Sequence, residues 1–286
     1  GHIEVVRFLV ESGANKDQQN QRDGGATPLF VAALKGHVEV VRFLVESGAN
    51  KDQGKTNGAT PLFEAAQKGH IEVVRFLVEC GANKDQGKRD GATPLFQAAL
   101  KGHVEIVRFL VESGANKDQG RTDGAKPLFV ASEEGHAEVV RFLVESGANK
   151  DQGTTDGATP LFVAAEKGHI QVVRFLVESG ANKDQGLTDN GKTPLYVAAL
   201  EGHIEVVRFL VESGAIKDQG KTNGATPLFI AAQEGYVEIV RFLVELGANQ
   251  DQGRTDGATP LFVAAEEGHL EVVRFLESRH GAMPVP

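Results

Sequence analysis

The chain has 286 residues and a formal net charge of −9, with 30 basic against 39 acidic side chains. An acidic balance argues against nucleic acid as a partner, since that ligand selects for a basic face, and no apolar run reaches the ~18 residues that mark a membrane span. Apolar residues make up 41% and charged residues 24%, proportions of a folded chain rather than a disordered one. The single cysteine, Cys80, excludes a disulfide framework and leans the chain towards a reducing, intracellular (cytoplasmic) compartment.

In chain order, residues 1–23 carry a lone amphipathic pattern, Ile3, Val5, Val6, Phe8, Leu9 and Val10, which predicts a helix. Its apolar face repeats that of every later copy, so its cover is expected from upstream sequence or from another molecule. The start at Gly1-His2, without methionine, reads as the middle of a repeat. From there a near-copy of Thr-Pro-Leu-Phe begins at Thr27, Thr60, Thr93, Lys126, Thr159, Thr193, Thr226 and Thr259, at six intervals of 33 residues and one of 34. A fixed period of this length predicts stacked repeats, each contacting its neighbours only. The repeats are set at 24–56, 57–89, 90–122, 123–155, 156–189, 190–222 and 223–255, with 1–23 a leading half-repeat and 256–286 a closing one. Two extra residues before Thr27 and one near Asn190 fall in loops. The last helix ends in Glu277-Ser278-Arg279-His280, the polar cap that a stack requires.

One copy serves for all. Thr93-Pro94 is a helix start, because the threonine oxygen caps a free amide and proline suits the first helical position. Leu95, Ala98 and Ala99 follow at helical spacing, and Gly102 stops this short helix. A second helix from about His103 carries Val104, Ile106, Val107, Phe109, Leu110 and Val111, an apolar face wide enough to need cover from both neighbouring copies. Gly114-Ala115 ends it, and the polar stretch Asn116 to Asp123 has the composition of turns. Glu39, Arg42 and Glu46, repeated as Glu72, Arg75 and Glu79, are expected to pair as ions along the outer helix.

These residues resemble the ankyrin repeat over essentially the whole chain. The pattern reads here as Asp90-Gly91, Thr93-Pro94-Leu95, Ala98-Ala99, Gly102-His103 and Gly114-Ala115. The resemblance implies an all-α, ankyrin-type helix-turn-helix solenoid with projecting hairpin loops, one array from 1 to 286, and a concave face lined by loops and first helices. Two positions depart from it. Phe30, Phe63, Phe96, Phe129, Phe162, Phe229 and Phe262, with Tyr196 in the remaining copy, stand where the family usually places a histidine. Lys51, Lys84 and Lys117 stand where it often has a branched apolar residue.

Enzymatic chemistry finds no footing in identical copies. The histidines of the Gly-His pairs cannot share one ion, because Zn–N bonds are ~2.0–2.1 Å and stacked helices lie about 10 Å apart. Catalytic carboxylates need two unlike environments. No phosphate-binding loop opens a helix, so no cofactor and no metal are expected. In the copy at 123–155, Lys126 replaces the capping threonine, Ser132 an alanine and Ala137 a branched residue, which predicts a soft joint.

Function is therefore sought where the copies differ. The last residues of each first helix are Leu34-Lys35, Gln67-Lys68, Leu100-Lys101, Glu133-Glu134, Glu166-Lys167, Leu200-Glu201, Gln233-Glu234 and Glu266-Glu267. They are positive in the first three copies and neutral or negative afterwards. Loop tips differ too, as Lys55, Lys88, Arg121, Leu187, Lys221 and Arg254, and Glu64 and Gln97 interrupt the valine after Phe. By the resemblance these positions face the concave side, where charge would orient an elongated protein partner. The alternative is self-assembly through the N-terminal end into head-to-tail oligomers or filaments.

Overall fold

The computed structural model describes residues 1–280. Among them it contains seventeen α-helices in two compact units, Gly1–Asn149 and the residues from Lys150 onward. The first unit holds α1 (Ile3–Glu11), α2 (Pro28–Leu34), α3 (Val38–Glu46), α4 (Pro61–Lys68), α5 (Ile71–Glu79), α6 (Pro94–Leu100), α7 (Val104–Glu112), α8 (Pro127–Glu133) and α9 (Ala137–Glu145). The second holds α10 (Pro160–Glu166), α11 (Ile170–Glu178), α12 (Pro194–Leu200), α13 (Ile204–Glu212), α14 (Pro227–Gln233), α15 (Val237–Glu245), α16 (Pro260–Glu266) and α17 (Leu270–His280).

Each short helix starts where the sequence places it. Thr27 Oγ1 accepts from Phe30 N–H at 3.1 Å, and Thr60 and Thr93 do the same for Phe63 and Phe96. Lys126 offers no such cap to α8; its ammonium instead donates to Asp118 O at 2.6 Å. Ser132 is buried yet satisfied, its hydroxyl donating to Leu128 O at 2.8 Å.

Within the first unit α2 packs on α4, α4 on α6 and α6 on α8; within the second, α10 packs on α12, α12 on α14 and α14 on α16. The paired alanines permit this. Ala65, Ala66, Ala98 and Ala99 have no exposed surface, so their backbones approach closely. Leu62, Leu95, Val74, Val107 and Leu110 fill the space between helix layers, each worth about 1.5–3 kcal/mol when removed from water. Ala137 substitutes for a residue that is only half-buried in its sisters Val38, Ile71 and Val104. It therefore sacrifices less than a core truncation does.

Successive copies are bound by three ladders. His70 Nε2–H donates to Leu34 O at 3.2 Å, His103 to Gln67 O at 3.1 Å and His136 to Leu100 O at 3.2 Å. A glycine precedes each histidine for two reasons. Gly36 has φ +70°, and a Cβ there would lie 2.7 Å from the His70 ring. Each Asn-Lys-Asp-Gln run forms the second ladder. Asn83 Oδ1 accepts from Asp85 N–H, Asp85 Oδ1 accepts from the next copy's Asn116 N–H at 2.8 Å, and Gln119 Nε2 donates to Asp85 O at 3.1 Å. The departing lysines belong here: Lys84 lays its stem beside Gly114, as long cationic side chains commonly do.

The third ladder runs along the second helices and replaces an expected feature. Arg42 sits 4.6 Å from the centre of the Phe76 ring, Arg75 4.7 Å from Phe109 and Arg108 4.6 Å from Phe142. Among the described residues no ion pair joins Arg42 to Glu39 or Glu46. The Arg42 guanidinium leaves its own helix for the neighbour's aromatic face, in place of the pairs with Glu39 and Glu46 expected from spacing.

The loops turn back as hairpins without becoming strands. Lys55 N–H donates to Ala59 O, and Thr56 N–H reaches Gly24 O at 2.9 Å. One bond within the hairpin and one to the neighbouring copy are too few for a ladder, and among the described residues the β-pairing is an isolated bridge between Asn20 and Ala26.

Candidate functional site

The positions that vary from copy to copy collect where the ends of the first helices meet the hairpin tips. In the first unit Lys35, Lys68 and Lys101 are exposed, while Leu34, Gln67 and Leu100 are half-buried. Glu64 lies among Lys55, Lys68 and Lys88. Burial pushes its carboxyl above the ordinary carboxylate value, and the three lysines pull the other way. Gln97 is 7% exposed and so lies within the packing of α6 rather than on offer to a ligand. Glu133 is half-buried and Glu134 exposed.

The tip cations do more than line this surface. Lys55 Nζ lies 5.3 Å from the centre of the Phe30 ring, Lys88 Nζ 5.5 Å from Phe63 and Arg121 Cζ 6.0 Å from Phe96. In the second unit Lys221 faces Tyr196 at 5.7 Å and Arg254 faces Phe229 at 5.6 Å. An aromatic ring in place of the family's usual histidine thus receives a cation from the tip that follows, worth about 0.5–1 kcal/mol at an exposed site. The same register sets Leu187 after Phe162, without a charge. Sequence reading takes the ring as a departure from the family pattern and the tip as a variable surface position. Their constant spacing was the signal that joined them.

The second unit gathers five of the expected residues around one depression of about 300 Å³. Leu200, Lys221, Gln233, Glu234 and Arg254 line it, together with Lys192, Tyr196, Asn223, Ala225, Phe229 and Ile230. Lys192 and Tyr196 were not foreseen as surface residues. Arg254 is bound to Asp256 at 2.5 Å, and that hydrogen bond depresses the Asp256 carboxyl below its ordinary value. Elsewhere in this unit Lys167 pairs with Glu166 at 3.5 Å, while Glu201, Glu266 and Glu267 are exposed.

At the two ends the observations differ in kind. Val5, Phe8 and Leu9 on α1 are 55%, 69% and 49% exposed, whereas α17 presents the polar Glu277, Ser278 and Arg279. Positions 281–286 of the closing repeat lie outside the described residues.

Within each unit the surface carries helix ends, tip cations stacked on rings, and carboxylates that recur from copy to copy. A family model described as ankyrin repeats (3 copies) matches residues 1–88, 80–154, 148–221 and 215–284. A search of curated proteins finds no match. Capped Thr-Pro helices, Gly-His bonds between copies and a match across nearly the whole length make this chain a member of the ankyrin repeat family.

Proposed function

We propose that the chain is a protein-interaction scaffold whose partner lies on the concave face of each compact unit, across the first-helix ends and hairpin tips. Ankyrin repeats generally mediate protein–protein interaction and are typically non-enzymatic scaffolds. One observation carries the choice of surface. Lys35, Lys68, Lys101, Glu134, Glu201 and Glu234 are exposed at the C-terminal ends of helices beside half-buried residues, and they are also the letters that change between copies. The Glu and Arg of the second helices repeat with little change and present the same surface each time. A variable face on an invariant frame discriminates partners by charge complementarity.

The test is charge reversal on each side. A protein captured by the wild-type chain from its source is measured against Lys35→Glu/Lys68→Glu/Lys101→Glu and against Glu39→Lys/Glu72→Lys/Glu105→Lys. The first variant is expected to weaken binding at least tenfold and the second to leave it within about twofold. The reverse pattern refutes this surface.

A further inference from the structure

We propose that the depression between α12 and α14 is an anion-recognition site that takes a glutamate or aspartate side chain of an extended peptide. It rests on the protein-binding reading above and names the partner's chemistry at one place.

The chain supplies its own controls, because the other copies show what this place looks like without the site. Tyr196 stands where seven copies have phenylalanine, and Lys192 stands where they have alanine: Ala26, Ala59, Ala92, Ala125, Ala158, Ala225 and Ala258. Both exceptions fall in the same copy and line the same depression. The extra residue near Asn190 widens the adjoining turn. Leu187 N–H there reaches Lys192 O, one residue further than the bond from Lys55 N–H to Ala59 O. Where Ala59, Ala92 and Ala225 are buried, Lys192 is half-exposed.

Tyr196 is 2% exposed, and a buried phenol normally finds a hydrogen-bond partner. Among the described residues its hydroxyl has no protein partner, yet the buried polar side-chain atom left unsatisfied is Gln250 Oε1. Tyr196 lines the depression, which is where a group that accepts from its hydroxyl would sit. Burial first, and then Glu234, push its pKa up to about 12, so the hydroxyl remains a proton donor throughout the physiological range. Lys192 and Lys221 add two cations with no carboxylate in ion-pair contact among the described residues. Leu200 and Ile230 supply an apolar flank.

This donor set fits a monoanion. Arg254 is already neutralised by Asp256, and Glu234 and Glu266 act on the same neighbourhood, which disfavours a dianion such as a phosphoryl group. The proposed donors to the carboxylate are Tyr196, Lys192 and Lys221, which line one depression together with Leu200.

The experiment exploits the two tyrosines and the absence of tryptophan. The full chain with labelled tyrosine rings is titrated with the terminally blocked peptide Leu-Glu-Leu-Glu-Leu and with its glutamine counterpart, affinities being read by calorimetry. The Tyr196 signal is expected to move and that of Tyr236 to stay. The glutamine peptide should bind at least tenfold more weakly, and Tyr196→Phe and Lys192→Ala should each cost about tenfold, the loss of one charge-assisted hydrogen bond. Both variants restore residues that the sister copies fold with. Equal binding of the two peptides, no binding of either, unchanged affinity in both variants, or tighter binding of a phosphoserine peptide overturns the site. None of these results touches the wider reading, which is tested on the lysines of the first unit with a protein.

Discussion

Lys55 Nζ lies 5.3 Å from the centre of the Phe30 ring, so the hairpin tip after α3 closes onto the helix before it. A ring at this position, in place of the family's usual histidine, gains a cation–π contact. The pair is expected to be coupled. In a double-mutant cycle with Phe30→Leu and Lys55→Ala, urea unfolding should give an interaction energy of about 0.5–1 kcal/mol. Additive effects would show that the two merely lie close.

The Asp-to-amide ladder is predicted to contribute measurably at every copy. Asp85→Ala leaves the Asn116 N–H without its 2.8 Å acceptor and should destabilise by about 1–2 kcal/mol. Asp85→Asn retains an acceptor oxygen and should lose less. Chemical denaturation of the two variants checks the order.

The uncapped α8 is the place to gain stability. Lys126→Thr restores an oxygen for the Phe129 N–H and gives up the Lys126 bond to Asp118 O, for a net gain of about 0.5–1 kcal/mol. Hydrogen exchange should be faster at 127–133 than at 94–100 in the wild-type chain, and the variant should remove the difference.

Glu64 carries a pH signature. Its folded pKa is raised above the ordinary 4.5, first by burial, against the pull of Lys55, Lys68 and Lys88. The folded state thus binds the proton more tightly than the unfolded state. The stability this contributes is complete below the unfolded pKa and is lost as pH rises through the folded one. Glu64→Gln removes the dependence, so the variant should gain on the wild type as pH climbs through the carboxylate range. A difference that stays flat with pH would contradict the assignment.

Periodicity carried most of the fold because the signals are local: Thr27-Pro28 sets a helix start, Gly36 a stop, and Ala32-Ala33 a close approach. Contacts between copies were less legible. Arg42 looked like a partner for Glu39 because helical spacing describes one helix, whereas its ring partner, Phe76, comes from the next copy. The Asn-Lys-Asp-Gln run read only as turn composition, although the recurrence of its aspartate had a cause in the Asp85 to Asn116 bond. Gln97 looked exposed by position and proved buried, because the face of so short a helix turns inward within one turn. Tyr196 for phenylalanine is a conservative-looking exception, and Lys192, where the other copies have alanine, went unremarked beside it.

Hydrogen exchange of the chain with and without its captured protein tests the proposed surface most directly. Slowed exchange should concentrate at the C-terminal ends of α2, α4 and α6 and at the tips around Lys55 and Lys88. Protection confined to the outer helices α3, α5 and α7 would contradict it.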